Sequence, residues 1–241
     1  MSSSFALAVV VLSEDSGKDA EGTIEALAKK AFRLIDGACQ TQRIDFPQTD
    51  DEPMRLAVKG NRWRSTAPAA LQSLIDLRRT LASLLLEGYF VIFHFDGDTA
   101  WTRRKTAVTP EQFQARIAAP VGRLVASQPE ALTRLIPMVP HYSIESWLYQ
   151  NTPVARRCCG RRHRCTATLR LLEGWEADPA ALDEVERPKD KTCLKDLHNH
   201  ELATLAYPIE RAYAAGKSLT AWVNALRAVP PLVRALAQTN K

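Results

Sequence analysis

Three groups of carboxylates in this sequence could do chemistry together. Glu14 and Asp15 close one apolar, β-branched run, Asp96-Gly97-Asp98 closes another, and Glu145 lies within His141-Tyr-Ser-Ile-Glu-Ser-Trp-Leu148. Carboxylates brought together repel one another unless protons or cations neutralise them. Oxygen ligands without a nearby histidine or thiolate select Mg²⁺ or Mn²⁺. The Asp96-Gly97-Asp98 spacing lets two acids approach one ion from a tight turn. An ion held in this way can clamp a phosphodiester and lower the pKa of a bound water. Taken singly, each cluster reads equally well as loop acids or a helix cap. The order of all three is the more specific signal.

Those acids matter only if the chain brings them to one place. The run Phe5–Leu12 reads as a strand buried on both faces. A helix is expected over about 19–35, a short strand over 42–46, a long loop over 47–67 and a helix from Pro68 to Gly88. Tyr89–Phe95 is a second β-prone run. A helix over about 110–127, a strand over 135–139 and a helix opening within 141–150 follow, and the remainder is helical. Strand and helix in alternation predict an α/β fold with a mainly parallel sheet flanked by helices. Ligands bind beyond the carboxyl ends of the strands in such sheets, where the three clusters fall. The division expected is a core over residues 1–150 and a basic, mostly helical extension over 151–241, packed on the core.

The 241 residues include 32 Lys and Arg against 27 Asp and Glu, a net charge of +5, with 46% hydrophobic and 24% charged. These proportions exclude a disordered tail, a collagen-like repeat and a coiled coil. Residues 155–170 hold Arg156, Arg157, Arg161, Arg162, Arg164 and Arg170 and no acid. Arginine forks match phosphate oxygens, so this segment is a candidate nucleic-acid contact, against the plainer reading of a solvated basic face or an acidic partner's docking surface. Trp63 between Arg62 and Arg64 offers either a base-stacking platform or packing beneath its loop. Cys158, His163 and Cys165 share their spacing with Cys193, His198 and His200. Zinc could draw on both sets, though neither has a Cys-x2-Cys knuckle, and a structural or incidental role is the alternative. Five cysteines, an odd number, argue against a disulfide framework. No phosphate-binding Gly-x4-Gly-Lys loop, dinucleotide Gly-x-Gly-x-x-Gly or Gly-x-Ser-x-Gly elbow is present. The first apolar run is too short to span a bilayer and lacks a basic leader, so a soluble, cytoplasmic protein is expected.

The succession Val-Val-Leu-Ser-Glu14-Asp15, Phe-His-Phe-Asp96-Gly-Asp98 and Ile144-Glu145-Ser-Trp147-Leu148 resembles the Toprim fold, in small stand-alone proteins akin to the nuclease half of the OLD (overcoming lysogenization defect) family. The resemblance covers about residues 5–150 and, more loosely, Pro188–Lys191. It implies a metal-dependent endonuclease, the effector of a bacterial anti-phage system, with Mg²⁺ or Mn²⁺ as cofactor. Glu14 would handle protons or share the ion, Asp96, Asp98 and Glu145 would bind it, and Lys191 would meet the phosphate. Implied partners are nucleic acid, DNA ahead of RNA, and a separate ATPase or sensor subunit. Position 18 is lysine where the family carries a second acid, so Asp19 or Glu21 would have to substitute. Asp15 rather than Glu14 could also be the inward ligand. The alternatives are an inactive scaffold that binds nucleic acid or a partner, and a toxin directed at tRNA.

Overall fold

The computed structural model describes residues 6–15, 17, 19–48, 52–97, 109–162, 165–185 and 187–240. Its sheet has four parallel strands in the order β2-β1-β3-β4. These are β1 (Leu7–Ser13), β2 (Ile44–Asp45), β3 (Phe90–His94) and β4 (Leu135–Met138). The second expected strand thus shrinks to two residues, preceded by a 3-10 turn over Thr41–Arg43. Helices α1 (Ala20–Ile35), α2 (Glu52–Val58), α3 (Pro68–Leu86), α4 (Thr109–Phe113) and α5 (Ala119–Leu124) connect the strands. After β4 come α6 (Glu145–Leu148), α7 (Thr152–Arg162), α8 (Thr166–Ala177), α9 (Pro179–Asp183), α10 (Asn199–Thr204), α11 (Ile209–Ala215), α12 (Lys217–Arg227) and α13 (Pro230–Gln238).

Side chains alternate across a strand, and the strands divide their residues between two cores accordingly. Leu7, Val9, Phe90, Ile92, Ile136 and Met138 pack with α1 and with the helices after β4. Val10, Leu12, Val91 and Phe93 pack with α2, α3 and the α4–α5 segment. Both faces are covered, as an all-parallel sheet requires. The C-terminal helices share one continuous core with α1. Among the described residues no helix is long and apolar enough to cross a membrane.

The chain moves from β1 outward to β2, then returns to place β3 on the other side of β1. That reversal makes the β1–β3 pair the topological switch point, where a crevice opens beyond the strand ends. Ser13 stands level with His94 in this pair. The residues just beyond them are Glu14 and Asp96.

Three expectations change. Residues 47–67 are not all loop, because they contain α2 and a 3-10 turn over Lys59–Arg64. Met54, Ala57 and Val58 recur at helical spacing and are buried. Pro53 sits in the first turn, where its missing N–H costs nothing. Trp63 is 1% exposed, with Phe93, Phe95 and Phe113 at 5.8, 5.5 and 6.2 Å between ring centres. Packing, not base stacking, is its role. The helix expected over 110–127 is broken by a π-turn at Gln114–Ala118. Pro120 follows directly; its ring would meet the residue 116 carbonyl in a regular helix. Arg78 Nε instead donates to that carbonyl at 2.6 Å.

The helix expected within 141–150 is only α6, because the backbone before it is bound to the turn after β3. Gly97 N–H donates to Pro140 O at 3.2 Å, and Ile144 N–H to Asp96 Oδ1 at 3.1 Å. A Cβ on Gly97 would lie 2.1 Å from His141 O, so only glycine permits this approach. From the other side α6 is anchored through Trp147. Its Nε1 donates to Ser218 Oγ at 2.7 Å, its carbonyl accepts from Tyr207 Oη at 2.9 Å, and its ring stacks on Trp222. Ser218 in turn donates its N–H to buried Asp183 at 2.8 Å. Ser218→Ala is therefore expected to cost about 1–3 kcal/mol in urea denaturation, since it leaves a buried indole N–H without its acceptor.

Candidate functional site

Glu14, Asp96 and Glu145 are 6%, 7% and 3% exposed. All three lie at the carboxyl edge of the sheet, and hydrogen bonds tie them into one assembly. Glu14 Oε1 accepts from Asp96 N–H at 2.8 Å, and Asp96 Oδ1 accepts from Ile144 N–H one residue before Glu145. Asn199 Nδ2, at the start of α10, donates to Glu145 Oε1 at 3.1 Å. Glu145 Oε2 is buried and has no hydrogen-bond partner among the described residues. A buried carboxylate oxygen in this position is open to a ligand or an ion.

The charge balance comes from two cations that the sequence did not single out. Arg64 Nη2 stands 3.4 Å from Glu14 Oε2 and donates to Asp96 O at 3.2 Å. Lys189 is the second. Burial alone would lower the pKa of its ammonium, but Glu145, Asp96, Asp196 and Asp15 outweigh burial and hold it above the ordinary lysine value. Lys189 and the acids Glu14, Asp15, Asp19 and Asp196 line one cavity of about 530 Å³. Asp19 lines this cavity, whereas Glu21 is turned to Arg55 at 2.9 Å. Glu14 is the inward residue of its pair, and Asp15 is half-buried at the cavity wall.

The lysine expected at the site was Lys191, and the structure puts Lys189 there. The two flank Asp190 in a 3-10 turn, where three residues complete a revolution and residues two apart face different ways. Lys191 lines a separate cleft of about 730 Å³ with Arg170, Arg187 and Asp190. Arg187 also donates to Tyr142 Oη at 3.2 Å. Arg170, Arg187 and Lys191 thus form a cationic lining for this cleft, with Arg187 3.6 Å from Asp190. Arg156 is engaged by Glu176 at 2.7 Å and Glu173 at 3.6 Å on α8, while Arg157 is exposed. Arg161 and Arg162 end α7, with side chains outside the described set, and Asp98 and Arg164 lie outside the described residues.

His94 is fully buried between Ser13 and Asp96. Ser13 Oγ accepts the Asp15 N–H at 3.2 Å and is hydrogen-bonded to His94 Nδ1 at 3.0 Å. The ring Nε2 lies 3.7 Å from Asp96 Oδ1, too long for a hydrogen bond. Burial, opposed by Glu145, pulls the imidazole pKa down to about 4. In the unfolded chain the ring takes its proton near pH 6.5, so the unfolded state binds more protons between these values. Stability is therefore present above pH 6.5 and lost as pH falls toward 4, by on the order of 3 kcal/mol. Urea denaturation in EDTA across this range should show the loss, and His94→Asn should flatten it.

No family model, curated protein or solved structure matches this chain. The reading of the site therefore rests on its chemistry. The donors are all hard carboxylate oxygens, each with spare lone pairs, and Glu145 Oε2 is an open ligand. This donor chemistry fits Mg²⁺ or Mn²⁺. Among the described residues, however, no group of three or more His, Cys, Asp and Glu is already placed to hold an ion. Glu14 and Asp96 are occupied by Asp96 N–H, Arg64 and Ile144 N–H, and a shared ion would have to compete for them. Among the described residues no zinc set is assembled. His198 Nδ1 is bonded to the Lys195 backbone and His200 lies over Gly22 of α1, while His163 is outside the described residues.

Proposed function

We propose that this protein is a Mg²⁺- or Mn²⁺-dependent nuclease that hydrolyses phosphodiester bonds, with DNA the first substrate to test. One observation carries the reading. Three buried carboxylates from separate stretches of chain converge at the sheet's switch point, one with an open oxygen, beside a lysine held in its charged form. Glu145, Asp96 and Glu14 are the residues that would hold the ion. When bound, the ion supplies charge neutralisation at the phosphate and a more acidic water. Lys189 presents its ammonium to the phosphate's developing charge. Arg170, Arg187 and Lys191, across the same turn, grip the adjoining backbone without reading sequence. The resemblance extends the proposal to an anti-phage effector working with a separate ATPase, which the chain's lack of a phosphate-binding loop favours.

The test is nicking of supercoiled plasmid, and cutting of RNA and tRNA, by purified protein with Mn²⁺. Asp96→Ala is expected to abolish cleavage, and full cleavage by that variant rejects the assignment. Lys189→Ala should lower turnover by about a hundredfold or more, as loss of a group aimed at transition-state charge does. Lys191→Ala should instead weaken substrate binding and reduce its salt dependence. Equal effects from the two variants would remove the distinction drawn between the two clefts.

A second reading, a non-catalytic scaffold that binds nucleic acid or a partner, is favoured by the hydrogen bonds that occupy Glu14 and Asp96. A scaffold should show no rise in melting temperature with Mg²⁺ or Mn²⁺, whereas a resident ion stabilises the fold by mass action.

A further inference from the structure

Away from the acidic cavity, the sulfurs of Cys159 and Cys193 lie 3.3 Å apart, although 34 residues separate them along the chain. Cys159 sits in the last turn of α7, and Cys193 follows the Lys189–Lys191 turn. Both are free thiols. Helix α8 braces the contact from a third side. Its buried Thr168 accepts the Cys193 N–H at 2.9 Å and donates to the Cys193 sulfur at 3.3 Å. The Cys159 thiol also donates to Cys165 O at 3.8 Å.

The sulfurs of a disulfide stand about 2 Å apart, so closing this contact takes roughly 1.3 Å of approach. The two thiols differ in access. Cys159 is fully buried, whereas Cys193 is half-buried. A reagent from solution therefore meets Cys193 first, and Cys159 stands behind it, in reach of whatever Cys193 has taken up. Holding both sulfurs in contact removes most of the entropic cost of the second, intramolecular step. Burial pushes the Cys193 thiol up to about 11, which keeps its thiolate scarce at neutral pH. The pair is thus suited to slow exchange with small disulfides and not to rapid capture of peroxide.

We propose that Cys159 and Cys193 are a thiol–disulfide modification site, with Cys193 the entry sulfur and Cys159 the one that closes the bridge, and with a small-molecule disulfide as the oxidant. Cys193 gives up its proton and attacks one sulfur of the small disulfide. The S–S bond of the reagent breaks, and one small thiol leaves with that proton. Cys159 then loses its proton and attacks Cys193 Sγ in the mixed disulfide. The bond from Cys193 to the reagent breaks, and the second small thiol leaves with the Cys159 proton. In total two protein thiols and one small disulfide give one protein disulfide and two small thiols. The protein sulfurs lose two electrons and the reagent gains them. This chemistry is independent of hydrolase activity, although the crosslink would fasten the chain four residues beyond Lys189 to α7.

The experiment equilibrates the full chain with a glutathione buffer rich in the oxidised form and caps the remaining thiols with iodoacetamide. Links are then mapped by non-reducing tryptic digestion and mass spectrometry. Trypsin releases Cys193 in residues 192–195, Cys165 in 165–170 and Cys158 with Cys159 in 158–161. The expected product joins 158–161 to 192–195 within one chain and is reversed by dithiothreitol. Cys158→Ser should retain the link, which assigns it to Cys159. In Cys159→Ala, the mixed disulfide with glutathione should accumulate at Cys193. In Cys193→Ser, the yield of intramolecular disulfide should fall by about tenfold or more, because Cys159 loses the sulfur it touches. The mapping on the unaltered chain decides the matter even if a variant fails to fold. The proposal is overturned if that chain stops at a mixed disulfide on Cys193, if Cys193 stays free, or if the link runs to Cys158 or Cys165.

Discussion

Glu145→Gln is expected to reduce Mn²⁺-dependent cleavage by about a hundredfold or more while leaving the metal-free protein at least as stable as wild type. The two effects have one cause. Glu145 is 3% exposed, and only one of its oxygens has a hydrogen-bond partner among the described residues, the Asn199 amide. A buried carboxylate in that state costs folding energy that its charge-assisted contacts only partly return. Glutamine keeps the shape and the acceptor for Asn199 but removes the charge. What it gives up in attraction to Lys189 is offset by lower desolvation, so the melting temperature in EDTA should hold level or rise. The Mn²⁺-induced rise in melting temperature should disappear. A carboxylate kept for structure alone would behave in the opposite way: its loss would lower metal-free stability and leave the response to Mn²⁺ untouched. Differential scanning fluorimetry with and without Mn²⁺, beside the plasmid assay, separates these outcomes.

The residues that could be read from sequence were those whose position follows from strand periodicity. β1 and β3 are apolar β-branched or aromatic runs that end in acids, and parallel pairing then puts Glu14 and Asp96 at one edge. Glu145 was legible from its apolar neighbours Ile144, Trp147 and Leu148, although Trp147 proves to be an anchor to Ser218 and Trp222 rather than part of the chemistry. His94 had a signal too, a lone polar residue inside Phe-Val-Ile-Phe-His-Phe, where burial on both faces makes an unpaired imidazole expensive. The cations were not legible. Arg64 falls in a stretch whose prolines and polarity read as loop, and its place depends on Trp63 filling a pocket made by Phe93, Phe95 and Phe113. Choosing Lys189 over Lys191 requires the phase of a 3-10 turn, which two lysines two residues apart do not reveal. Asn199 reaches Glu145 from 54 residues away along the chain, a contact set by how α10 packs and by no local pattern.

Arg64→Met is expected to destabilise the metal-free protein by about 3–5 kcal/mol, because it removes the guanidinium that faces the buried Glu14 carboxylate. The pair is shielded from water, with side chains 18% and 6% exposed, so screening does little to soften the loss. Adding Glu14→Gln to Arg64→Met should recover much of that stability, since the double variant buries neither charge; the coupling is read from a urea double-mutant cycle. Recovery of stability without recovery of cleavage would separate Glu14's part in the fold from its part in the chemistry. The same pair bears on how the site accepts an ion. Glu14 Oε2 faces Arg64, so a divalent cation sharing Glu14 must displace or join the guanidinium. With Arg64 gone, that competition ends. Mn²⁺ should then raise the melting temperature of Arg64→Met more than that of wild type. If Mn²⁺ gives Arg64→Met no greater rise than wild type, Glu14 does not ligate the ion, and its charge serves to hold Arg64 and the Asp96 turn in place.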